Sequence, residues 1–282
     1  LILNMSSIWV FKIVYNAIFM LMPLAMFCFY RSQVGSQKAF LSSFLIMATP
    51  TFIITLIGQT RNEISLLYFA MLLLVMFDTK MKPANRVTLG VIFALLIPLS
   101  HYGTAYVCMI YFILFWLLLI VIRHTALGHW WEGLTSRFSR SPTNPLTVAS
   151  TPFMLGGNFI LLFIVFTLAW HMYTVYGYVF EVITVGGANM LGNLAQLFMP
   201  QMWQPLAQTA LGLDWGSASV LGKAFRIWQY TVQALIAIGF IRLILKPRGF
   251  RAEYITLTSV AALTWLATLI APRFSSPLGI PR

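Results

Sequence analysis

The chain has 282 residues, of which 60% are hydrophobic and only 9% are charged, and its formal net charge is +12. A soluble globular domain carries about 25% charged residues, so this composition excludes a water-soluble fold. Long apolar runs, in place of short alternating segments, exclude an outer-membrane barrel and predict an all-α polytopic helical membrane protein. In such a protein the excess of Lys and Arg is typical of cytoplasmic loops that meet anionic lipid, so membrane lipid is the expected partner and nucleic acid is not.

Eight apolar segments are predicted to cross the membrane, since a span needs about 20 residues. Residues 87–122 must form two helices, because one helix of that length would measure about 54 Å against a hydrocarbon core of about 30 Å. The stretch IPLSHYGTAY at 97–106 supplies the break through its proline, glycine and polar residues. In chain order the predicted spans are 8–30, 40–58, 63–78, 87–100, 105–122, 153–176, 227–245 and 254–271.

The basic residues predict the orientation of these spans. With alternating spans, eleven Lys and Arg fall in the loops on one side, five on the other, and Lys12 and Arg242 lie inside spans. The side with eleven Lys and Arg is predicted to be cytoplasmic. The N-terminus of the chain then lies on the extracytoplasmic side of a prokaryotic cell membrane. Residues 123–152 then form a cytoplasmic interfacial linker. Residues 177–226 form a long extracytoplasmic loop that lies on the outer membrane surface as short amphipathic helices.

The first candidate site is the polar stretch IGQTRNEISLLYF at 57–69. If this stretch is helical, Gln59 and Glu63 share one face at a spacing of four, and Arg61 points away from Glu63. Arg61 would then be free to clamp a phosphate at the outer interface with its planar set of donors. The alternative is that Arg61 reaches lipid headgroups, and that Glu63 is an acid favoured by the dipole at the helix N-terminus.

The second candidate site is LSHYGTAY at 99–106, at the predicted helix break. His101 and Tyr102 could bind a sugar hydroxyl, donate a proton, or satisfy backbone groups that the break leaves free. The charge bias places His101 on the same side of the membrane as Arg61. Glu181 and His171, near the outer end of a span, are weaker candidates, and Asp214 is predicted to be a turn residue. The sequence contains no His/Cys cluster, paired carboxylates or phosphate-binding loop, so it predicts no metal site and indicates no cofactor.

Three segments carry a resemblance to a known family: residues 10–31, residues 47–78 and FALLIPLSHYGTAYV at 93–107. Together with the closing RFSSPLGIPR at 273–282, they resemble an uncharacterised family of archaeal and bacterial predicted membrane proteins. Arg61 and Glu63 match the Arg-x-Glu of that family. The residues that match its Ser-His-Tyr turn are Ser100, His101, Tyr102 and Thr104.

That family is in turn similar to the GT-C glycosyltransferases, which use a polyprenyl-phosphate sugar on the outer face of the membrane. The resemblance implies an acidic catalytic residue in an outer loop that precedes Leu1, so no base can be assigned within this chain, and we expect the chain to be one transmembrane domain of a longer polypeptide. Arg61 would stabilise the departing phosphate, while the absent carboxylate would deprotonate the acceptor.

Two other functions remain open. The first is a non-enzymatic subunit or scaffold that packs against other membrane subunits, which is consistent with a chain that has only six acidic residues. The second is a transporter, for which paired repeats of broken helices would be expected, whereas the sequence has one break and no repeat.

Overall fold

A computed structural model describes most of the predicted helices. The described residues are 9–49, 52, 60–124, 156–175, 184–185, 188, 192, 215–217, 219–245, 250 and 252–270. The chain divides into two compact units, the first made of Leu1–Ile113 and Thr151–Tyr176 and the second of Leu114–Ser150 and Gly177–Arg282.

The first unit is a set of packed helices. A π-helical segment, Val10–Tyr15, leads into α1 (Asn16–Phe19), α2 (Leu21–Val34) and α3 (Ser36–Met47). These are followed by α4 (Thr60–Phe77), α5 (Pro83–Ser100), the first half of α6 (Tyr102–His124) and α7 (Gly157–Val175). Helix α4 packs against both α2 and α5, α2 pairs with α3, and α5 also contacts α7. Helix α4 therefore lies inside the unit and carries the first candidate site.

Local sequence explains where several of these helices begin and end. Gly35 separates α2 from α3 with a φ of 83°, a left-handed conformation that glycine adopts without the steric cost of a side chain. Pro83 opens α5, where its missing N–H is not needed and its fixed φ suits the first turn. Between α4 and α5, the carboxylate of Asp78 accepts the backbone N–H of Lys80 at 2.7 Å and closes a short turn.

Aromatic side chains dominate the core beside α4 and α6. Phe112 is fully buried, and its ring lies 5.2 Å from that of Phe163 and 6.3 Å from that of Phe159, both on α7 and both in edge contact. Phe69 of α4 meets Tyr111 and Phe112 at 6.1 and 6.4 Å. Offset and edge contacts of this kind add about 0.5–1.5 kcal/mol per pair beyond the buried area. They fix α4, α6 and α7 against one another directly below the candidate site.

In the second unit, α8 (Val220–Leu245) packs against α9 (Ala252–Ile270), and a short 3₁₀ turn, Trp215–Ser217, precedes them. Most apolar side chains of α8 are exposed, as expected for a helix whose solvent is lipid.

The prediction of an all-α polytopic membrane protein is confirmed. Every regular element in the described residues is helical, and five helices are long and apolar enough to cross a membrane: residues 12–34, 83–100, 102–122, 157–174 and 220–245. The eight-span topology stays a prediction. The linker 123–152, apart from the end of α6, and residues 177–226, apart from the short stretches named above and the start of α8, lie outside the described residues.

Two predicted boundaries were wrong. Helix α8 begins at Val220, seven residues before the predicted start at 227, because the Ser219 hydroxyl caps it by accepting the N–H of Gly222 at 3.1 Å. Arg86 was assigned to a loop, but it lies in the first turn of α5 and is only 6% exposed. In both places charged residues interrupt the apolar run, so hydropathy alone does not predict the helical turn.

Candidate functional site

The site is built around the break between α5 and α6. Pro98 lies in the last turn of α5, where its ring removes one backbone donor. The next turn ends at His101, whose backbone is extended (φ −151°, ψ 120°) and whose N–H still donates to the carbonyl of Ile97 at 3.0 Å. Helix α6 restarts at once, since the carbonyl of His101 accepts the N–H of Ala105 at 3.2 Å. The predicted break is therefore present, and it consists of a single extended residue.

His101 also caps the new helix with its side chain. Its Nδ1 accepts the backbone N–H of Thr104 at 3.2 Å and lies 3.0 Å from the Thr104 hydroxyl. The imidazole folds over Gly103: a Cβ at this position would lie only 2.9 Å from Cε1 of His101. Gly103 thus provides the space in which the ring lies, and the ring satisfies one of the free donors at the start of α6.

A hydrogen bond ties this cap to α4. The Thr104 hydroxyl donates to Oδ1 of Asn62 at 2.7 Å, across 42 positions of sequence. Arg61 is the neighbour of Asn62 on α4, it is exposed, and it makes no ion pair within the described residues. Burial, together with the positive charge of Arg61 and the neighbouring His171, lowers the pKa of His101. Arg61 and His101 are consequently close enough to act on one another electrostatically.

Two side chains hold the end of α5 from opposite neighbours. Ser65 of α4 donates its hydroxyl to the carbonyl oxygen of Ile97 at 3.4 Å, and His171 of α7 lies near the backbone of Pro98. The Ile97 carbonyl also accepts the N–H of His101, so Ser65 is a second donor to it from a neighbouring helix. The ring of His171 also stacks on that of Tyr106, with 5.1 Å between centroids.

Glu63 is placed differently from the rest of the site. It is 0% exposed, and within the described residues neither of its carboxylate oxygens has a hydrogen-bond partner. On a helix with about 100° per residue, Glu63 lies about 160° from both Ser65 and Arg61. Since Ser65 marks the face toward α5, Glu63 belongs to the far face of α4. Burial without a hydrogen-bond partner disfavours the ionised form of the Glu63 carboxyl.

The structure brings together some of the predicted site residues and not others. We call Arg61, Asn62, His101 and Thr104 the cluster, because the Asn62–Thr104 hydrogen bond ties the two segments together. Tyr102, which is 39% exposed, stacks on His101 with ring centroids 5.1 Å apart. Glu63 lies on another face of α4, as the helical spacing predicted for its relation to Arg61. Gln59 and Glu181 lie outside the described residues.

Sequence reasoning missed the partners that organise the cluster. Asn62 was part of the polar stretch, but nothing in the sequence pairs it with Thr104. Thr167, which is fully buried one turn from His171, was not noticed at all. A threonine inside an apolar run carries no signal, because helical threonines commonly bond to their own backbone.

The cluster has a defined chemistry. Nδ1 of His101 faces Thr104, so Nε2 is the ring nitrogen left to meet a ligand. Within the described part of the chain, no hydrogen bond to this Nε2 is found. The cluster therefore offers a guanidinium and an imidazole N–H to a neighbouring acceptor, a donor set that suits an anion and above all a phosphate.

Comparison with known proteins gives one match. No curated protein and no solved structure is similar enough to this chain to be informative. One family model covers residues 86–282, more than half of the chain and including the α5–α6 break. The chain therefore belongs to the family described as Predicted membrane protein (DUF2206).

Proposed function

We propose that this protein is a GT-C-like membrane glycosyltransferase that uses a polyprenyl-phosphate-linked sugar on the extracytoplasmic face of the membrane. The observation that supports the proposal is the pairing of an exposed Arg61 with His101 at a helix break, held by the Asn62–Thr104 hydrogen bond. The family assignment supports an integral membrane protein, and the charge bias of the loops supports the outer location of the cluster.

Arg61 has the properties required of a phosphate ligand. It is exposed in the first turn of α4, and the adjacent helix N-terminus adds partial positive charge. Glu63, two positions along, is buried on another face and leaves this charge in place. A guanidinium binds two phosphate oxygens at once, so a lysine at this position would supply charge but not the same geometry.

His101 complements the arginine as a neutral donor. Its lowered pKa keeps the imidazole uncharged at neutral pH, with the proton on Nε2. Such an N–H can donate to a phosphate oxygen without requiring a second buried cation. The capping bonds to Thr104 hold the ring in a fixed orientation, which is what preorganised stabilisation of developing charge needs.

In the proposed reaction an acceptor hydroxyl attacks the anomeric carbon of the donor sugar. The bond between that carbon and the phosphate oxygen breaks, and the polyprenyl phosphate leaves with the bonding electrons. Arg61 and His101 stabilise the negative charge that gathers on this phosphate. The acceptor proton passes to a carboxylate base that the resemblance places before Leu1. Glu63 does not fit the role of base, because it is inaccessible to an acceptor.

The test is transfer of a labelled sugar from a polyprenyl-phosphate donor by membranes that contain the full-length polypeptide. We expect Arg61→Ala to lower transfer by about 100-fold or more, as for the loss of a charge-stabilising donor, and Arg61→Lys to recover only part of it. Arg242→Ala, at another exposed arginine on α8, is the matched control and should leave transfer unchanged. Wild-type transfer that is insensitive to Arg61→Ala would refute the role of Arg61. Absence of transfer by an intact wild-type protein, across donor sugars, would favour the non-enzymatic subunit.

A further inference from the structure

A second group of polar side chains lies between α6 and α7, beside the α5–α6 break. Tyr106, Thr167 and His171 are 5%, 0% and 4% exposed. The Tyr106 hydroxyl, Thr167 Oγ1 and His171 Nδ1 are all buried, and in the part of the chain that the structure describes none has a hydrogen-bond partner. Buried polar atoms are almost always paired, and leaving one unpaired costs about 1–3 kcal/mol. Three such atoms in one region indicate a missing partner.

The three groups are neighbours. Thr167 and His171 lie one turn apart on the same face of α7, with Cβ atoms about 6 Å from each other. The ring of Tyr106 stacks on that of His171 at 5.1 Å with an angle of 28° between the planes.

Thr167 differs from five other helical threonines in a way that supports this. A threonine inside an apolar helix normally donates its hydroxyl to the carbonyl four residues earlier. Such bonds, each 2.8 Å long, are made by Thr174, Thr231, Thr256, Thr258 and Thr264. Thr167 makes no such bond, although it is more deeply buried than Thr174 or Thr231. Its hydroxyl is therefore available for something other than its own backbone.

The protonation state of His171 restricts which chemical group, here called the guest, could bind beside it. The side chain of His171 lies near the backbone of Pro98, whose carbonyl can accept a proton from Nε2. Burial disfavours a charged imidazole, and with the proton on Nε2 the unpaired Nδ1 is an acceptor. The hydroxyls of Tyr106 and Thr167 can each donate one hydrogen bond.

From these atoms we propose that α6 and α7 enclose a binding site for one uncharged hydroxyl group. A hydroxyl has one proton, which it donates to His171 Nδ1, and two lone pairs, which accept from Tyr106 and Thr167. An ammonium has no lone pair for the two hydroxyls, and an ionised phosphate or carboxylate has no proton for Nδ1. The hydroxyl belongs either to a buried water molecule or to an alcohol ligand. This inference does not depend on the proposed transferase activity.

The sign of a stability change tests the proposal. If the three atoms are unpaired, removing a hydroxyl relieves a desolvation cost, so Tyr106→Phe and Thr167→Val should leave the midpoint of thermal unfolding unchanged or raise it. If a guest is bound, each change breaks a buried hydrogen bond, and the midpoint should fall by about 2–4 °C. The matched controls are Tyr173→Phe and Thr174→Val on exposed positions of α7, which should show neither effect.

The experiment uses the whole purified chain in detergent after removal of lipid, with tryptophan fluorescence as the readout. It is repeated with 1-decanol, and with decane as its control. If the variants are destabilised both with and without 1-decanol, and 1-decanol does not change the midpoint of wild type, the guest is water. If the variants are less stable than wild type only when 1-decanol is present, because 1-decanol stabilises wild type alone, the guest is an alcohol ligand.

The double variant tests whether one guest accepts hydrogen bonds from both hydroxyls. A shared guest predicts that Tyr106→Phe combined with Thr167→Val costs clearly less than the two single changes added together. Additive losses would overturn the shared site. Single variants as stable as wild type, or more stable, with and without decanol would overturn the proposal altogether.

Discussion

One methyl group added at Gly103 should weaken ligand binding while it leaves the stability of the fold almost unchanged. In Gly103→Ala the new Cβ would lie 2.9 Å from Cε1 of His101, whereas carbon atoms in comfortable contact are about 3.5–4.0 Å apart. The imidazole must then move by about 0.6–1 Å away from the start of α6. Its Nδ1 already lies 3.2 Å from the Thr104 nitrogen, so this movement carries it beyond hydrogen-bond range.

Two opposing terms decide the effect on stability. Loss of the His101 cap costs about 1 kcal/mol, and replacement of a helical glycine by alanine returns about 0.5–1 kcal/mol. The two nearly cancel, so the midpoint of thermal unfolding of Gly103→Ala should stay within about 2 °C of wild type. Gly239→Ala on α8, where no atom lies within 4 Å of the new methyl, keeps only the favourable term and should be stabilised by about 2 °C or more.

The assay is binding of a polyprenyl phosphate by each folded variant, measured by native mass spectrometry in detergent. Since a hydrogen bond to a charged group contributes about 1.5–3 kcal/mol, displacement of His101 should weaken binding by about 10- to 100-fold. His101→Ala should weaken it to a similar extent, while Gly239→Ala should bind like wild type. Unchanged binding by Gly103→Ala would refute the assignment of His101 as a phosphate ligand.

Three further changes test other parts of the structure. The lowered pKa of His101 means that the unfolded chain binds its proton more readily, so wild type should lose stability as pH falls below the ordinary value of about 6.5. In His101→Asn, which keeps a capping acceptor but does not titrate, thermal unfolding between pH 7.5 and pH 5 should depend less on pH; an unchanged dependence would assign it to other groups. Asn62→Ala and Thr104→Val remove the two ends of one hydrogen bond, so a double-mutant cycle of unfolding free energies should give a coupling of about 0.5–1.5 kcal/mol, and additive effects would contradict the bond. Glu63→Met should leave the unfolding midpoint unchanged or raise it, because it replaces an unpaired buried carboxyl with an apolar side chain of similar length; a large fall would indicate that Glu63 has a partner.

The parts of the structure that local chemistry decides could be predicted from the sequence. The break near Pro98 follows from the missing N–H of proline and from a helix otherwise too long for a membrane. The separation of Arg61 from Glu63 follows from helical spacing alone. The proximity of Arg61 to His101 was expected only as residence on one side of the membrane, since charge bias carries no information on distance within that side.

The remainder depends on tertiary packing. The Asn62–Thr104 bond joins residues 42 positions apart, and a single sequence contains nothing that pairs them. Thr167 is one of several threonines in apolar helices, and only its missing backbone bond distinguishes it. Ser219 is a recognisable cap, but Lys223 and Arg226 interrupt the apolar run beyond it, so hydropathy placed the start of α8 too late.

The central claim is that Arg61 and His101 bind one phosphate together, and the most direct test is a double-mutant cycle on the affinity for a polyprenyl phosphate. Groups that contact the same anion are coupled. The fold-loss of affinity in the double variant Arg61→Ala, His101→Ala should therefore be at least about five times smaller than the product of the two single fold-losses. Binding of the matching uncharged polyprenol should be insensitive to all three variants. Losses that multiply independently, or a polyprenol that is affected as strongly as its phosphate, would contradict a shared phosphate site.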